Sequence, residues 1–273
     1  MIEQAILGKE REYLTFEEEI PPRPPVLCAG CPHRGLFYAL RRLGVFVSGD
    51  IGCYTLGAQA PLSSIDTCVC MGASVSGLHG YNLAGGAETA AKSVAVIGDS
   101  TFAHSGITGL IDIAYNKGAS TVIVLDNSIT GMTGHQNNPV NGLTLRGDPT
   151  VAIDLEALAR AVGIGRVRVV DPFDTEQCET VVREELAAAE PSLVIARRPC
   201  ALLKSVKHRA PLAADREKCV GCKACLQVGC PALSFDREAK KAAIDPNACV
   251  GCGVCASACR FGAILPHSAE PTE

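Results

Sequence analysis

Two short apolar runs rich in β-branched residues constrain the fold of this chain more than any other feature. The runs span Ser93 to Ile97 and Thr121 to Leu125, and a helix-length segment separates them. This arrangement predicts one β-α-β unit with parallel strands. Because parallel strands end at the same edge of a sheet, the residues that follow the two runs are expected to lie close together.

Small polar residues and acids follow both strands. Gly98-Asp99-Ser100 comes after the first strand and Asp126-Asn127-Ser128 after the second. Carboxylate and amide oxygens suit Mg²⁺, which usually binds through few protein ligands together with phosphate oxygens. A glycine beside them lets the backbone approach a phosphate closely. The same residue types are common in ordinary turns, so a pair of plain turns is the alternative interpretation.

Strands and helices continue to alternate along the chain. In order, we expect a helix at His33 to Leu43, a strand at Val45-Phe46-Val47, a strand at Asp66 to Met71, a helix capped by Asp154, a strand at Arg166 to Val170, a helix at Thr175 to Ala189 and a strand at Ser192 to Arg197. This alternation predicts an α/β fold with a doubly wound, mostly parallel sheet and helices on both faces.

The C-terminal part of the chain contains an internal repeat of cysteines. Of the 15 cysteines in the sequence, eight lie between Cys219 and Cys259. In each half of the repeat, three closely spaced cysteines precede a fourth, a pattern that resembles the bacterial two-cluster ferredoxins, in which the fourth cysteine ligates the other cluster. That resemblance implies one 4Fe–4S cluster on Cys219, Cys222, Cys225 and Cys259, and another on Cys249, Cys252, Cys255 and Cys230.

Two features of the repeat depart from the usual ferredoxin pattern. Four residues rather than three precede Cys230, and Arg260 stands where a proline usually follows the last cysteine. Neither change removes a ligand, although the first alters the local loop. Paired C-x-x-C motifs can also form Cys₄ zinc sites, which is the alternative for this region.

Charge and hydropathy give no indication of a nucleic-acid-binding or membrane-spanning protein. The formal net charge is −4 and no stripe of Lys and Arg is visible, so nothing indicates a nucleic-acid partner. No apolar run reaches the roughly 18 residues that a membrane-spanning helix needs, and the acidic N-terminus does not resemble a signal peptide. We therefore expect a cytoplasmic protein that uses thiolates for metal rather than for disulfides.

The motifs around Asp99 and Asn127 resemble the diphosphate motif of thiamine diphosphate (TPP) enzymes, a G-D-S followed by an N after the next strand. The resemblance implies that the side chains of Asp99 and Asn127 and the carbonyl of Ile129 bind Mg²⁺. It implies a TPP site formed by Gly52, Tyr54, Gly98, Asp99, Ser100, Thr101, Asn127, Ile129, Gly131 and Met132. His33 would lie near substrate or cofactor and is the candidate catalytic residue; His104 and His135 flank the Mg²⁺ motifs.

The stretches C-A-G-C-P-H-R, G-D-I-G-C-Y-T and R-P-C-A-L resemble the TPP-binding part of 2-oxoacid:ferredoxin oxidoreductases. Several members hold a proximal 4Fe–4S cluster beside TPP, and the resemblance implies Cys28, Cys31, Cys53 and Cys200 as its ligands. A thioredoxin-like redox pair at Cys28 and Cys31, or buried inert thiols, are the alternatives. Cys68 and Cys70 are expected to be packed or passive on their strand, and Cys178 lies in an ordinary helix.

The order of all these motifs, over about residues 26 to 265, is similar to the C-terminal half of the large subunit of indolepyruvate:ferredoxin oxidoreductase. That family resemblance implies oxidative decarboxylation of a 2-oxoacid, an arylpyruvate such as indolepyruvate or phenylpyruvate, to an arylacetyl-CoA. Coenzyme A would accept the acyl group, and an external ferredoxin would accept the electrons that iron–sulfur clusters pass singly.

The family's large subunit also has a pyrimidine-binding domain, whose Glu protonates the aminopyrimidine ring, and the sequence shows no counterpart. We therefore expect either a fragment or a split gene, with a second subunit or domain carrying that Glu in a hetero-oligomer. Two alternatives remain: a subunit of another 2-oxoacid oxidoreductase, acting on pyruvate or 2-oxoglutarate, and a non-catalytic electron-transfer subunit. A TPP decarboxylase without redox function would not need the cysteine-rich tail.

These expectations define a domain plan. It comprises an N-terminal arm with a Pro-rich linker (1–25), a TPP- and Mg²⁺-binding domain (26–200), a linker (201–216), a small α+β ferredoxin-like domain with two 4Fe–4S clusters (217–265) and a tail (266–273).

Overall fold

A computed structural model describes residues 24–266 together with Leu7, Gly8 and Glu19. The predicted N-terminal arm and tail therefore lie almost wholly outside the described residues. The described chain forms a six-stranded α/β unit that ends at Arg197, followed by a smaller unit that contains two short antiparallel strand pairs.

The first unit alternates strands and helices, as predicted. Its elements are α1 His33–Leu43, β1 Phe46–Gly49, a 3₁₀ turn Cys53–Ala58, β2 Thr67–Cys68, α2 Ala73–Ala90, β3 Ser93–Gly98, α3 Asp99–Thr101, a π-helical turn Phe102–Gly106, α4 Ile107–Tyr115, β4 Thr121–Asp126, α5 Leu155–Ala161, β5 Arg166–Val170, α6 Thr175–Ala187 and β6 Ser192–Arg197. The strand order is β2-β1-β3-β4-β6-β5, and every pair is parallel. The doubly wound parallel sheet is confirmed.

The two central strands are buried on both faces. Along β3, Val94 and Val96 pack into one core with α1 and α6, whereas Ala95 and Ile97 pack into a second core with α2 and α4. Alternate residues of β4 divide in the same way. Strands covered on both sides need apolar residues at every position, because neither face meets water. This explains the continuous apolar runs from which the strands were predicted.

The edge strand is shorter than predicted. A strand was expected from Asp66 to Met71, but β2 contains only Thr67 and Cys68. These two residues pair with Ser48 and Gly49 of β1. The main chain then turns, and the Cys70 carbonyl accepts a hydrogen bond from Ala73 N as α2 begins. Cys68 and Cys70 are consequently exposed. Of the two expectations for them, packed or passive, the structure contradicts packing and does not test whether they are passive.

The second unit consists of β7 Leu212–Ala214, a 3₁₀ turn Ala224–Val228, β8 Leu233–Asp236, β9 Lys241–Ile244, α7 Val254–Ser257 and β10 Ile264–Pro266. Strand β7 pairs with β10 and β8 with β9, both antiparallel. Because β7 lies within the stretch expected to be a linker, its pairing favours a unit that starts at Leu212. The small α+β domain is confirmed.

The two units share a packed boundary. Val228, Val254 and Ala258 of the second unit are buried in the same apolar core as Leu36 and Leu40 of α1. Thr175 at the start of α6 also lies 3.2 Å from the Ser257 hydroxyl. Within the described part of the chain, no helix combines the length and apolar character needed to cross a membrane.

Candidate functional site

A cavity of about 200 Å³ lies beyond the carboxyl ends of β1, β3 and β4. The chain leaves β1 toward one side of the sheet and β3 toward the other, so the crevice between these strands is the topological switch point, where α/β sheets bind ligands. The cavity is lined by all the residues predicted from the motifs, namely His33, Gly52, Tyr54, Gly98, Asp99, Ser100, Thr101, Asn127, Ile129, Gly131 and Met132.

Asp99 and Asn127, whose side chains are the ligands predicted for Mg²⁺, both line the cavity. Both side chains are buried, and Asp99 Oδ1 accepts a hydrogen bond from Ser100 N at 2.7 Å. Asp99 Oδ2 is buried without a hydrogen-bond partner. Burial and the neighbouring Asp126 carboxylate raise the pKa of Asp99 to about 7. A buried carboxylate oxygen with no donor, beside an amide, fits a hard divalent cation, whose charge would favour the ionised acid.

His33 and Tyr54 form one wall of the cavity. Their rings meet edge to face, with centroids 5.9 Å apart, and the Tyr54 hydroxyl donates to the Ile51 carbonyl at 3.0 Å. Burial lowers the pKa of His33 to about 4, so its imidazole is neutral at neutral pH. A neutral imidazole can donate one hydrogen bond and accept another without adding charge.

Asp50 organises the loop on the β1 side of the cavity, a role that was not predicted from the sequence. Its side chain is fully buried and accepts hydrogen bonds from the backbone N–H groups of Ile51, Gly72 and Ser74 at 2.8 to 3.1 Å. The Thr55 hydroxyl donates to the Asp50 carbonyl at 2.8 Å. Asp50 therefore ties the end of β1 to the start of α2. Its position within G-D-I-G-C-Y-T is the only sequence signal that could have identified it.

The segment Gly131 to Gln136, with the sequence G-M-T-G-H-Q, forms a closed loop on the Asn127 side of the cavity. Thr130 and Gln136 exchange backbone hydrogen bonds at 3.0 and 3.2 Å. The Gln136 side chain donates to the Thr133 carbonyl at 2.6 Å. The loop thereby presents Thr130, Gly131, Met132 and Thr133 to the cavity. Of these four, Gly131 and Met132 were predicted from the motifs. His104, noted from the sequence only for its place beside the Mg²⁺ motifs, also lines the cavity.

The eight tail cysteines surround two separate cavities. The first tail group (Cys219, Cys222, Cys225 and Cys259) lines one cavity, and the second tail group (Cys230, Cys249, Cys252 and Cys255) lines the other. This is the crossed division implied by the ferredoxin resemblance. Among the described residues, no three His, Cys, Asp or Glu side chains are grouped to hold one metal ion. Zinc requires sulfurs at about 2.3 Å, so the open four-cysteine cavities fit a cluster better than a single ion.

Backbone N–H groups point at several tail sulfurs. Leu212 N donates to Cys249 Sγ at 3.4 Å, and Ala242 N donates to Cys219 Sγ at the same distance. Ala263 N donates to Cys259 Sγ at 3.3 Å. Hydrogen bonds to cluster sulfurs are one of the means by which proteins set reduction potential. The peptide groups of the fold are thus arranged to stabilise negative sulfur in both tail groups.

Four further cysteines lie near one another, and one of them, Cys53, lines the cavity. We call Cys28, Cys31, Cys53 and Cys200 the proximal group. Burial raises the pKa of the Cys31 thiol to about 12, and the nearby Cys28 and Cys200 sulfurs add to the rise. Burial likewise raises the pKa of Cys53, again with contributions from Cys200 and Cys28. These shifts disfavour isolated thiolates, whereas metal coordination stabilises them.

The proximal group borders both the cavity and the tail. Cys53 lines the cavity, and Cys200 N donates to the Asn127 carbonyl at 2.9 Å. On the other side, a Cβ on Gly30 would lie only 2.2 Å from Cγ2 of Val250, in the loop between Cys249 and Cys252 that we call the second tail loop. Gly30 also has a φ of +70°, so a glycine is required at this close approach. The Cys28–Cys31 turn, which we call the proximal turn, is therefore in direct contact with the second tail loop.

Comparisons with known proteins agree with this architecture. Residues 50–196 match the family model of the C-terminal TPP binding domain of thiamine pyrophosphate enzymes, and residues 212–260 match the 4Fe-4S dicluster domain. The chain thus contains a TPP-binding domain and an iron–sulfur domain, in the order that the sequence analysis predicted.

The chain also resembles individual proteins. It is 42% identical over 275 residues to the indolepyruvate oxidoreductase subunit IorA of Pyrococcus horikoshii, which covers 93% of this chain and 42% of that protein. It is 44% identical over 269 residues to the IorA subunit of Archaeoglobus fulgidus, which covers 95% and 42%. The chain thus spans about two fifths of the length of these relatives. Its fold is similar to a 2-oxoglutarate:ferredoxin oxidoreductase from Magnetococcus marinus, with a TM-score of 0.57 and 17% identity over 68% of each chain.

Proposed function

Because this chain belongs to the family defined by the C-terminal TPP-binding domain of thiamine pyrophosphate enzymes, we propose that it is the cofactor- and electron-carrying part of an indolepyruvate:ferredoxin oxidoreductase. The proposed reaction is oxidative decarboxylation of an arylpyruvate to an arylacetyl-CoA, with coenzyme A as acyl acceptor and a ferredoxin as electron acceptor. The similarity to IorA subunits supports the substrate class.

One observation carries the proposal: the three candidate sites are contiguous. Cys53 belongs both to the wall of the TPP-domain cavity and to the proximal group, and Gly30 of the proximal turn touches Val250 of the second tail loop. The second and first tail groups belong to one small domain. A decarboxylase without redox function does not need cysteine groups next to its cofactor site. An oxidoreductase does, because it needs a continuous route for single electrons.

We propose that the buried oxygens at the ends of β3 and β4 hold Mg²⁺. Asp99 Oδ2 lacks a donor, the Asn127 amide lies on the same cavity wall, and the Ile129 carbonyl is the proposed third ligand. The ion would neutralise the cofactor's diphosphate as well as the Asp99 charge. When bound, thiamine diphosphate would supply the electron sink for cleavage of the bond between the carboxylate and the oxo carbon.

The remaining wall residues would position the reactants. The neutral His33 imidazole can offer a hydrogen bond to a substrate or cofactor heteroatom, which makes it the proposed catalytic residue. Met71 and Met132 line the cavity and are about half exposed, at 48% and 57%. The cavity's 200 Å³ is also below the roughly 300–1,000 Å³ of typical ligand pockets. We therefore propose that a partner subunit or domain covers this rim, completes the pocket and carries the Glu expected to activate the cofactor.

Anaerobic purification with any co-purifying partner tests the proposal. We expect bound TPP and Mg²⁺ and turnover of indolepyruvate and phenylpyruvate with coenzyme A and a dye acceptor. Turnover of pyruvate or 2-oxoglutarate instead would refute the proposed substrate class. A protein that contains its full iron but neither binds TPP nor turns over any of these substrates would support the alternative of a non-catalytic electron-transfer subunit.

The Asp99→Asn variant tests the metal site separately. Loss of the anionic oxygen should weaken TPP and Mg²⁺ binding at least tenfold while leaving the iron content unchanged. Asp112→Asn is the matched control, because Asp112 lies on α4 outside the cavity with its side chain 55% exposed. Equal cofactor affinity in both variants would contradict the proposed role of Asp99.

A further inference from the structure

Arg34 is buried at the boundary between the two units. Its side chain is only 2% exposed, although arginine is rarely buried without a partner. Nη2 donates to the carbonyls of Leu27 and Cys28, the latter at 3.0 Å. Nη1 donates to the carbonyls of Val228 and Gly229, the former at 3.0 Å. One guanidinium therefore bridges the proximal turn and the loop that leads into the second tail group.

No carboxylate neutralises this charge within the described chain. None of the ion pairs found there includes Arg34, and its Nε is buried without a hydrogen-bond partner. Carbonyl oxygens satisfy hydrogen bonds but carry no net charge. A buried, unpaired cation is costly unless an anionic group lies nearby. The anionic groups that the site can provide are the clusters themselves, since a 4Fe–4S core with four thiolates is negatively charged.

The bridge connects residues next to proposed cluster ligands on both sides. Cys28, whose carbonyl accepts one bond, is itself a member of the proximal group. Gly229, whose carbonyl accepts another, directly precedes Cys230 of the second tail group. The guanidinium thus lies within one peptide unit of a ligand of each group, whereas none of its hydrogen bonds reaches the first tail group.

The unusual loop before Cys230 has the shape that this contact requires. The loop contains the extra residue noted in the sequence, and it ends in Gly229 with a φ of +68°. A Cβ there would lie 2.9 Å from Pro61 Cδ and 3.4 Å from Arg34 Nη1. The left-handed turn and the absent side chain therefore let successive carbonyls of the loop face the guanidinium. The departure from the ferredoxin pattern and the buried arginine belong to one arrangement.

We propose that Arg34 is a positioning residue for electron transfer, whose fixed charge raises the reduction potential of the second tail cluster relative to the first. Reduction adds one electron, and hence one negative charge, to the cluster, and a nearby cation in a low-dielectric setting stabilises that charge. The direction of electron flow, from the proximal cluster to the second tail cluster, rests on the proposed function. The effect on potential does not, because any one-electron reductant reveals it.

Redox titration of the anaerobically purified protein with dithionite, monitored by EPR, tests this inference. We compare wild type, Arg34→Met and Arg34→Lys, and assign the signals with Cys222→Ser for the first tail group and Cys249→Ser for the second. Arg34→Met should lower the reduction equilibrium constant of the second tail cluster at least tenfold, about 59 mV for one electron. The first tail cluster serves as the internal reference and should not shift. Arg34→Lys keeps the charge and should restore most of the potential.

Arg41→Met is the matched control. Arg41 lies two turns along α1 and contacts the same loop, with Nη1 2.9 Å from Gln227 Oε1, but it is exposed. Its removal should leave both tail potentials unchanged. An unshifted second cluster in iron-replete Arg34→Met would overturn the inference, as would an equal shift of both clusters. If the second tail cluster does not assemble in Arg34→Met, the Arg34→Lys variant decides. A tenfold fall in the reduction equilibrium constant of that cluster, despite the retained positive charge, would also overturn the inference. If the wild-type protein shows no arylpyruvate turnover but the second tail cluster of Arg34→Met has a shifted potential, only the proposed function is refuted.

Discussion

Replacing Cys200 with alanine tests the proximal cluster, the member of the proposed electron route next to the TPP-domain cavity. Cys200 follows β6 and is half-buried, with its sulfur 3.9 Å from His135 Nε2. Its backbone N–H donates to the Asn127 carbonyl at 2.9 Å, a bond that alanine retains. The substitution therefore removes one sulfur ligand and should leave the Mg²⁺ side of the cavity in place.

The expected change in iron content follows from the three four-cysteine groups. With every group loaded, the chain holds about 12 iron atoms, and loss of one cluster leaves about 8. We expect Cys200→Ala to contain about 8 iron and to reduce a ferredoxin or dye acceptor more slowly. TPP content should stay at the wild-type level, because the variant keeps all the oxygen ligands proposed for the cation.

The assay is iron and acid-labile sulfide per chain after anaerobic purification, with EPR of the reduced protein. Cys178→Ala is the matched control, since Cys178 is fully buried in α6 with its sulfur 3.5 Å from the Asp171 carbonyl. That variant should keep about 12 iron and lose about 1 kcal/mol of stability. Iron that stays near 12 in Cys200→Ala excludes Cys200 as a ligand, and wild type with about 8 refutes the proximal cluster.

Two further predictions concern the stability of the α/β unit. The Asp154 carboxylate caps α5 by accepting bonds from Glu156 N and Ala157 N at 2.9 and 3.1 Å, so Asp154→Ala should lower the free energy of unfolding by about 0.5–2 kcal/mol. Denaturant titration measures this loss, and an equal loss in Asp154→Asn would contradict the capping explanation. Arg166 binds the fully buried Glu185 at 2.7 Å, so Arg166→Met should cost about 1–3 kcal/mol by leaving that carboxylate poorly paired. Arg168 makes its shorter contact, 3.1 Å, to the half-exposed Glu184 and reaches Glu185 only at 3.5 Å. Arg168→Met leaves the shorter Arg166–Glu185 pair in place and should therefore cost less than about 1 kcal/mol, and the same loss in both variants would show that the Arg166–Glu185 pair is not the cause.

Much of the α/β unit could be predicted from local patterns. Strands β3 and β4 are buried on both faces, so Val94 to Ile97 and Val122 to Leu125 are all apolar and the runs are conspicuous. Parallel strands also bring their carboxyl ends to one edge, which is why the residues around Asp99 and Asn127 line one cavity. Strand β2 was overestimated because it is an edge strand, and its length depends on where β1 stops pairing with it.

The functional motifs were predicted as separate sets, and their ligand roles remain predictions. Resemblance to known families supplied the division of the cysteines, and the structure brings each tail group to its own cavity. The role of Asp50 was missed because its hydrogen-bond partners lie across a loop, at Gly72 and Ser74. A hydrogen bond between residues more than 20 positions apart cannot be predicted from the periodicity of the sequence.

The sequence by itself determined which residues form the central strands, the cavity edge and the cysteine repeat, because those features follow from continuous apolar runs, the 3.6-residue period of helices and short spacings. Only the tertiary structure decided how the three groups of cysteines lie relative to one another. Arg34 and Gly229 are separated by 195 residues, and their contact depends on the packing of the second unit against α1. Such contacts arise from the shapes of two folded surfaces, which local sequence patterns do not encode.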